Sequence, residues 1–176
     1  MALAQLREMR MNLENSVAPE RGLENAQTVI DIKDLSLVFE TNDGPVHALS
    51  NINLAIKRGE FVSFIGPSGC GKTTLMRVVA DLEQPTSGSV TVNGKTPEQA
   101  RLDRSYGYVF QAAALFPWRT IEDNISLPLE VMGYAAAERK VLIEKNLALV
   151  NLAGFGKKFP WQLSGGMQQR ASIARA

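Results

Sequence analysis

The segment Phe61–Leu75 constrains the fold of this chain more than any other stretch. A short apolar run, residues 61–65, leads into Gly66, and Gly66–Thr73 fits the pattern G-x-x-x-x-G-K-[ST]. Helix-forming residues follow at once. A strand, a glycine-rich loop and a helix are the context in which this pattern builds a phosphate-binding P-loop. The segment therefore predicts a buried strand that leads into a nucleotide-phosphate site.

Each residue type in this loop has a physical role. Glycines allow the tight turn and point successive amides inward, and the helix that follows adds its own amides and dipole. Lys72 is predicted to reach the β- and γ-phosphates, and the Thr73 hydroxyl to bind Mg²⁺. The alternative is a glycine-rich turn followed by a chance Lys-Thr pair. The residues predicted to contact nucleotide here are Gly66, Pro67, Ser68, Gly69, Cys70, Gly71, Lys72, Thr73 and Thr74.

The composition is that of an ordinary globular protein. The 176 residues are 45% hydrophobic and 21% charged, with a net charge of +1. A net charge this small gives no support to a nucleic-acid partner, which would need a basic surface. The single cysteine, Cys70, excludes a disulfide framework and fits a reducing compartment. No apolar run approaches membrane-spanning length and residues 1–27 lack the order of a signal peptide, so membrane contact is expected only through a partner.

Residues upstream of the P-loop predict an antiparallel β layer that leads into its buried strand. A slip in the apolar alternation at Lys33-Asp34 indicates a bulge, and Thr41–Pro45 reads as a hairpin turn. His47, the only histidine, is expected at the surface or in a turn. The polar stretch Thr96–Ser105 is expected to be a surface connection. The predicted elements of this part are strands over 28–40, 47–57, 61–65, 89–93 and 106–110 and a P-loop helix over 72–82.

Two helices are predicted in the second half of the chain. Thr120 and Asp123 resemble a capping box before the apolar helix 121–132, in which Pro128 should produce a kink or a break. A second helix over 135–152 is expected to bury one face. That face would consist of Val141, Leu142, Ala148, Leu149 and Leu152.

The octapeptide Leu163–Arg170, LSGGMQQR, is the second strong signal. Ser164 is a good N-cap, and Gly165 and Gly166 would leave backbone amides open at a helix N-terminus. These features predict a second anion-binding point. Taken alone, the same residues also fit a plain serine-capped helix.

Together these segments resemble the nucleotide-binding subunit of ABC transporters over residues 29–176. GPSGCGKTT looks like the Walker A motif of that family, LSGGMQQR looks like its signature motif, and Gln111 stands where the family has its Q-loop glutamine. Phe39 stands where the family places an aromatic residue that stacks on adenine; it could equally be an ordinary core residue of the strand. Asp81 replaces a glycine that is common at the end of the P-loop helix.

The residues after Gln111 narrow the resemblance. VFQAAALFPWRTIEDNI is similar to the nitrate, sulfonate and taurine branch of bacterial importers, which implies a membrane permease and an extracytoplasmic solute-binding protein as partners. The segment Leu115–Trp118 would lie near the surface that receives the permease, and its alternative role is internal packing. The location implied is the cytoplasmic face of the cell membrane.

The resemblance also implies a mechanism. Two copies would form a homodimer in which ATP on one P-loop is covered by the signature motif of the other copy. Ser164, Gly165, Gly166 and Gln168 would act in that second role. Lys72 would neutralise phosphate charge, and Gln111 would help hold Mg²⁺ and the attacking water. Lys72 and Gln111 are thus the predicted catalytic residues, and Thr73 and Gln111 the predicted metal ligands.

The expected fold is an α/β P-loop NTPase of the ABC type with an antiparallel β subdomain and a helical subdomain. After a mobile leader over 1–27, the expected parts are a β layer with the P-loop core over 28–110, a Q-loop and helical part over 111–163, and a signature helix over 164–176. The chain ends before the positions where the family has its Walker B aspartate and catalytic glutamate. We therefore expect the C-terminal part of the core sheet to be missing, with apolar faces uncovered, poor stability and negligible ATP hydrolysis.

Two other functions are compatible with these motifs. One is a soluble ABC-type ATPase acting on DNA or ribosomes, although such proteins usually carry a long coiled-coil insertion or tandem cassettes. The short span between Gln111 and Ser164 argues against the insertion. The other is a catalytically inactive nucleotide-binding fragment, which would bind ATP without turnover.

Overall fold

The computed structural model describes residues 26–176. These residues form two compact units, 26–106 and 107–176. The leader predicted over 1–27 lies outside the described residues except for its last two positions. Gln27 accepts a backbone hydrogen bond from Arg58 at 2.8 Å.

The first unit contains a three-stranded antiparallel sheet. Its strands are β1 (Thr28–Thr41), β2 (Gly44–Lys57) and β3 (Ser87–Val92), in the spatial order β2-β1-β3. The predicted bulge is confirmed, because the register shifts between Ile32 and Leu35 and Asp34 has a φ of +48°. The predicted hairpin between β1 and β2 is confirmed as well.

Two helices complete this unit: α1 (Lys72–Val79) and α2 (Pro97–Leu102). The second begins where a surface connection was expected, because Thr96 caps it by accepting a hydrogen bond from the amide of Gln99 at 3.2 Å. Apolar side chains from all three strands, from α1 and from α2 form one core. Its buried members are Ile32, Leu35, Leu37, Leu49, Leu75, Val78, Val90, Val92 and Ala100.

The strands predicted over 61–65 and 106–110 do not form. Phe61 is 97% exposed and Ile65 is 74% exposed. A strand needs a neighbour for its backbone hydrogen bonds, and within the part of the chain that the structure describes no strand lies beside residues 61–65. The expectation of uncovered apolar residues is therefore confirmed for this segment. It is wrong for the inner face of α1, where Leu75 and Val78 are buried against the β layer.

The second unit is helical. It contains α3 (Ile121–Val131), α4 (Ala136–Leu149), a 3₁₀ turn (Pro160–Gln162) and α5 (Gly165–Arg175). Helix α3 continues past Pro128, so the second alternative of the predicted kink or break does not occur. Its core consists of Ile121, Ile125, Leu147, Leu152, Leu163 and Ala171. Among the described residues, no helix is long and apolar enough to cross a membrane.

The prediction of which face of α4 is buried is wrong. Val141 and Leu149 are exposed, whereas Leu147 is buried and Ile143 packs against the core. The helix ends at Leu149, and Leu152 reaches the core from the following turn rather than from a continued helix.

Candidate functional site

The P-loop of the first unit starts α1 in close contact with β2. Gly71 caps the helix with a φ of +96°, and a Cβ at that position would lie 2.7 Å from the Ala48 carbonyl oxygen. Both the left-handed backbone and the close approach require glycine there. The start of the helix is thereby fixed on the β layer.

Lys72 folds back over the mouth of its own loop. Its Nζ donates to the carbonyl oxygens of Gly66 and Pro67, each at 2.7 Å, and lies 3.4 Å from the Cys70 Sγ. The ammonium group therefore lies on the loop, at the centre of the residues predicted to surround phosphate. Both acceptors are neutral carbonyl groups. A negatively charged phosphate would bind the ammonium group more strongly and could replace them.

The backbone amides at this helix start are available to an anion. Among residues 26–176, no side chain caps the N-terminus of α1. Ser68, Gly69 and Thr73 are exposed, and Gly69 has a φ of +82°. A nest of outward-facing amides with an adjacent lysine fits a phosphate group.

Phe39 lies near the end of β1, in register with Val46 on β2. Its side chain is partly exposed, so it does not belong to the buried core. A π-face at this place can still stack on a planar ring, which was the first of the two predicted roles.

The end of α1 carries Asp81 in place of the usual glycine. The residue has a φ of +52°, the conformation in which glycine is ordinarily favoured. Its carboxylate accepts hydrogen bonds from Arg101 Nε and from the Gln84 amide, both at 2.8 Å. The hydrogen bond to Asp81 raises the pKa of Arg101. These bonds compensate for the strained backbone and tie α1 to α2.

Gln111 lies in the second unit on an irregular, exposed segment. The segment continues into the apolar tetrapeptide Leu115–Trp118. Leu115 packs against the helical core, whereas Trp118 is 71% exposed, with its ring centroid 5.1 Å from that of Phe116. The tetrapeptide is thus anchored at one end and open at the other.

Asn124 holds this tetrapeptide and was not predicted from the sequence. It is fully buried; its Oδ1 accepts from the Phe116 amide at 2.7 Å, and its Nδ2 donates to the Phe116 carbonyl at 3.1 Å. The same Nδ2 also donates to the carbonyls of Arg119 and Thr120. The available signal was an asparagine one turn after the Thr120 cap, at a position where α3 is otherwise apolar.

The signature segment has the predicted start. Ser164 Oγ accepts from the Met167 amide at 3.4 Å, which confirms the N-cap. A Cβ added at Gly165 or Gly166 would have no atom within 4 Å, so both glycines face open space. The helix start can therefore be approached by a ligand or by another molecule.

Gln168 lies differently from the prediction. Its Nε2 donates to the carbonyl oxygens of Pro160 at 2.9 Å and Leu163 at 3.1 Å. Both amide hydrogens are thus used to hold the 3₁₀ turn against the start of α5. A direct contact of these hydrogens with nucleotide would first require those bonds to break.

The predicted metal ligands do not form a ready-made cage. Within the described residues, no group of three His, Cys, Asp or Glu side chains could hold a metal ion. Thr73 and Gln111 supply neutral oxygen ligands only. Each, taken by itself, is a kind of ligand that Mg²⁺ accepts beside phosphate oxygens and water.

Three comparisons with known proteins bear on this site. Residues 49–176 match the family model described as ABC transporter. The chain is 46% identical over 146 residues to an uncharacterized ABC transporter ATP-binding protein of Methanocaldococcus jannaschii, covering 83% of this chain and 54% of the relative. It is 44% identical over 147 residues to the nitrate import ATP-binding protein NrtD of a Synechocystis strain, covering 84% and 54%.

Among solved structures, the chain matches a dimeric, post-hydrolysis state of the ATP-binding cassette MJ0796 bound to ADP and Pi. The TM-score is 0.77 at 36% identity, with 83% of this chain and 68% of that chain covered. The chain spans about half the length, or less, of the curated relatives it matches. Other relatives at 41–46% identity are described as import proteins for methionine, bicarbonate, taurine, Fe(3+) ions and sulfate or thiosulfate.

Proposed function

This chain belongs to the ABC transporter family, and we propose that it is the ATP-binding subunit that powers an importer of small solutes. The main support for the proposal is the geometry of the P-loop. Gly71 lies too close to the Ala48 carbonyl to accept a side chain, and Lys72 folds back over a helix start whose amides have no side-chain cap. When nucleotide binds, Lys72 Nζ would exchange the carbonyls of Gly66 and Pro67 for phosphate oxygens. Phe39 would stack on the base.

Hydrolysis in the whole protein would use the same residues in the usual way for phosphoryl transfer. Lys72 would neutralise charge on the phosphates, and Thr73 and Gln111 would hold Mg²⁺. The metal would supply further charge neutralisation at the transferred phosphoryl group. Gln111 would also orient the attacking water.

We propose that two copies of the chain share each nucleotide. Ser164, Gly165 and Gly166 of a second copy would cover the ATP held by the P-loop of the first. The open space in front of both glycines and the dimeric state of the MJ0796 cassette support this arrangement. Gln168 would act here by holding the turn before Ser164.

The exposed part of Leu115–Trp118 would contact a membrane permease at the cytoplasmic face of the membrane. An exposed tryptophan on a segment fixed by the buried Asn124 is suited to an interface, because little side-chain order remains to be gained on binding. A solute-binding protein outside the membrane would deliver the cargo. The similarity of residues 109–125 to the nitrate, sulfonate and taurine branch favours a small anion, although relatives of nearly equal identity carry other names.

Calorimetric titration with MgATP tests nucleotide binding. We expect Lys72→Ala to weaken binding about 10- to 100-fold, the loss of one or two hydrogen bonds to a charged group. Lys33→Ala is the matched control, because Lys33 is an exposed lysine of the β layer that pairs with Asp31. Equal affinity of wild type and Lys72→Ala would refute the proposed site.

Copurification with the cognate permease tests the contact surface. Trp118→Ser should reduce recovery of the complex, whereas Trp161→Ser should not. The two residues are a matched pair, since each follows a Phe-Pro dipeptide and Trp161 is 65% exposed. Equal losses for both variants would contradict a specific role for Leu115–Trp118.

A further inference from the structure

The segment that carries Gln111 is held on both sides by side chains of a single helix. Gln169 Nε2 donates to the Phe110 carbonyl at 3.2 Å, one residue before Gln111. Arg175 Nη1 donates to the Ala114 carbonyl at 2.9 Å, and its Nη2 lies 3.4 Å from the Ala113 carbonyl. Both donors belong to α5, which begins in the signature motif.

The spacing of the two anchors matches the segment that they hold. Gln169 and Arg175 are six residues apart, which is about 9 Å along a helix axis. The four steps from Phe110 to Ala114 can span at most about 14 Å when extended. The segment can therefore lie along the helix with Gln111 between its two fixed points.

Local preferences do not explain the shape of this segment. Gln111 and Ala112 are exposed, and no regular secondary structure includes residues 106–114. Ala114 has a φ of +47°, a left-handed conformation that is unfavourable for a residue with a Cβ. Contacts from elsewhere must hold it, and the Ala114 carbonyl is the group that Arg175 binds.

Among the described residues, the Arg175 guanidinium group interacts with these backbone carbonyls and not with a carboxylate. Within the described part of the chain it takes part in no ion pair. Burial lowers the pKa of the Arg175 guanidinium. A desolvated guanidinium with two carbonyl partners is a directional clamp, because its donors have a fixed planar geometry.

We infer that Gln169 and Arg175 are positioning residues, which fix the backbone on either side of Gln111 to the helix that begins at Ser164–Gly166. The functional meaning of this inference rests on the proposed role of Gln111 in nucleotide chemistry. A displacement of α5 would be carried directly to the Gln111 backbone. The signature motif and the Q-loop glutamine would thus respond together when a second copy engages the helix start.

A nitroxide label at position 112 tests this inference, introduced as Ala112→Cys with Cys70→Ser and read by electron paramagnetic resonance without nucleotide. We expect a motionally restricted spectrum in the parent and a several-fold shorter correlation time in Arg175→Met. Gln169→Leu should give a smaller change, and Arg175→Lys should restore part of the restriction. Arg170→Met is the control, because Arg170 is an exposed arginine on the same helix.

A second label at the exposed Ala137 of α4 separates positioning from general loss of structure. We expect its spectrum to be the same in all variants. An unchanged label at 112 in Arg175→Met would overturn the inference, as would equal loosening at 112 and 137. Because no nucleotide is present, the result is independent of the titration with MgATP, and failure of the proposed function would show only in that titration.

Discussion

The two glycine-rich motifs of this protein obtain their shapes in different ways. The signature start is fixed by near neighbours: Ser164 caps Met167, and Gln168 holds the carbonyls of Pro160 and Leu163. The P-loop depends on contacts distant in sequence, because Gly71 rests on the Ala48 carbonyl of another element. Before the P-loop, Phe61 and Ile65 are exposed and Phe64 is only partly buried against the core, whereas Leu163, just before Ser164, is buried.

This difference explains which of the sequence patterns predicted the structure correctly. A cap, a turn and a helix start are decided within a few residues, so LSGGMQQR folds as its pattern predicts. A buried parallel strand depends on its neighbours in the sheet. Within the described part of the chain no strand lies beside residues 61–65, so no strand forms there and Phe61 and Ile65 are exposed.

The largest loss of stability is expected for Asn124, the side chain that fixes the segment Leu115–Trp118 in the second unit. Asn124→Ala removes four hydrogen bonds and leaves the partly buried Phe116 amide without its acceptor. Each unsatisfied buried group costs about 1–3 kcal/mol, so we expect a loss of roughly 3 kcal/mol in the free energy of unfolding. Urea titration followed by tryptophan fluorescence measures it, since both tryptophans lie in this unit.

Asn146→Ala is the control for that measurement, because Asn146 is a half-exposed asparagine on α4. Its expected change is within about 0.5 kcal/mol. Similar losses in the two variants would mean that Asn124 does not hold the Leu115–Trp118 segment in solution.

Substitutions at two P-loop glycines test whether the loop depends on its contact with Ala48, which is distant in sequence. Gly71→Ala combines a φ of +96° with a collision against Ala48, whereas Gly69→Ala has a φ of +82° and open space. We expect about 1 kcal/mol of destabilisation at Gly69 and at least about 2 kcal/mol at Gly71, from backbone strain with and without steric clash. Circular dichroism in urea compares them, and equal effects would remove the contact with Ala48 as a determinant of the loop.

The local character of the signature start is tested by Gln168→Glu. The substitution keeps size but replaces the donor amide with an acceptor that faces the carbonyls of Pro160 and Leu163. Two lost hydrogen bonds predict a destabilisation of about 1–2 kcal/mol in the fluorescence-detected unfolding of this unit. Gln168→Lys retains donors at this site and should lose less.

The smallest effect concerns charge on the surface of the first unit. Hydrogen bonds from Lys95 and Gln99 lower the pKa of Asp103. A carboxyl whose pKa is lower in the folded state contributes stability above its unfolded pKa, and loses it as the pH falls through the folded pKa. Lys95→Met should raise the pKa of Asp103 towards its ordinary value, as measured by carboxyl-carbon NMR titration; an unmoved titration curve would show that the pair is not formed in solution.

Much of the candidate site could be predicted from the sequence because short motifs encode it. The glycines, Lys72 and Ser164 lie in patterns whose chemistry requires those residue types. Asn124, Gln169 and Arg175 could not be identified, because their partners are backbone carbonyls that leave no pattern in the sequence. The buried face of α4 was also predicted wrongly, because the helix carries apolar residues on more than one side: Val141 and Leu149 are exposed, whereas Ile143 and Leu147 face the core.

The central claim is that the nucleotide site is divided between the P-loop of one copy and the signature start of another. Gly165→Gln is the sharpest test, because a Cβ added at Gly165 would have no atom within 4 Å and the helix start faces open space, so the fold should remain intact. Sedimentation velocity with MgATP should show an ATP-dependent dimer in wild type and in the control Ala153→Gln, an exposed position of the same unit. We predict that Gly165→Gln still binds ATP through its own P-loop but remains monomeric; an ATP-dependent dimer equal to that of wild type would show that the nucleotide is not shared in this way.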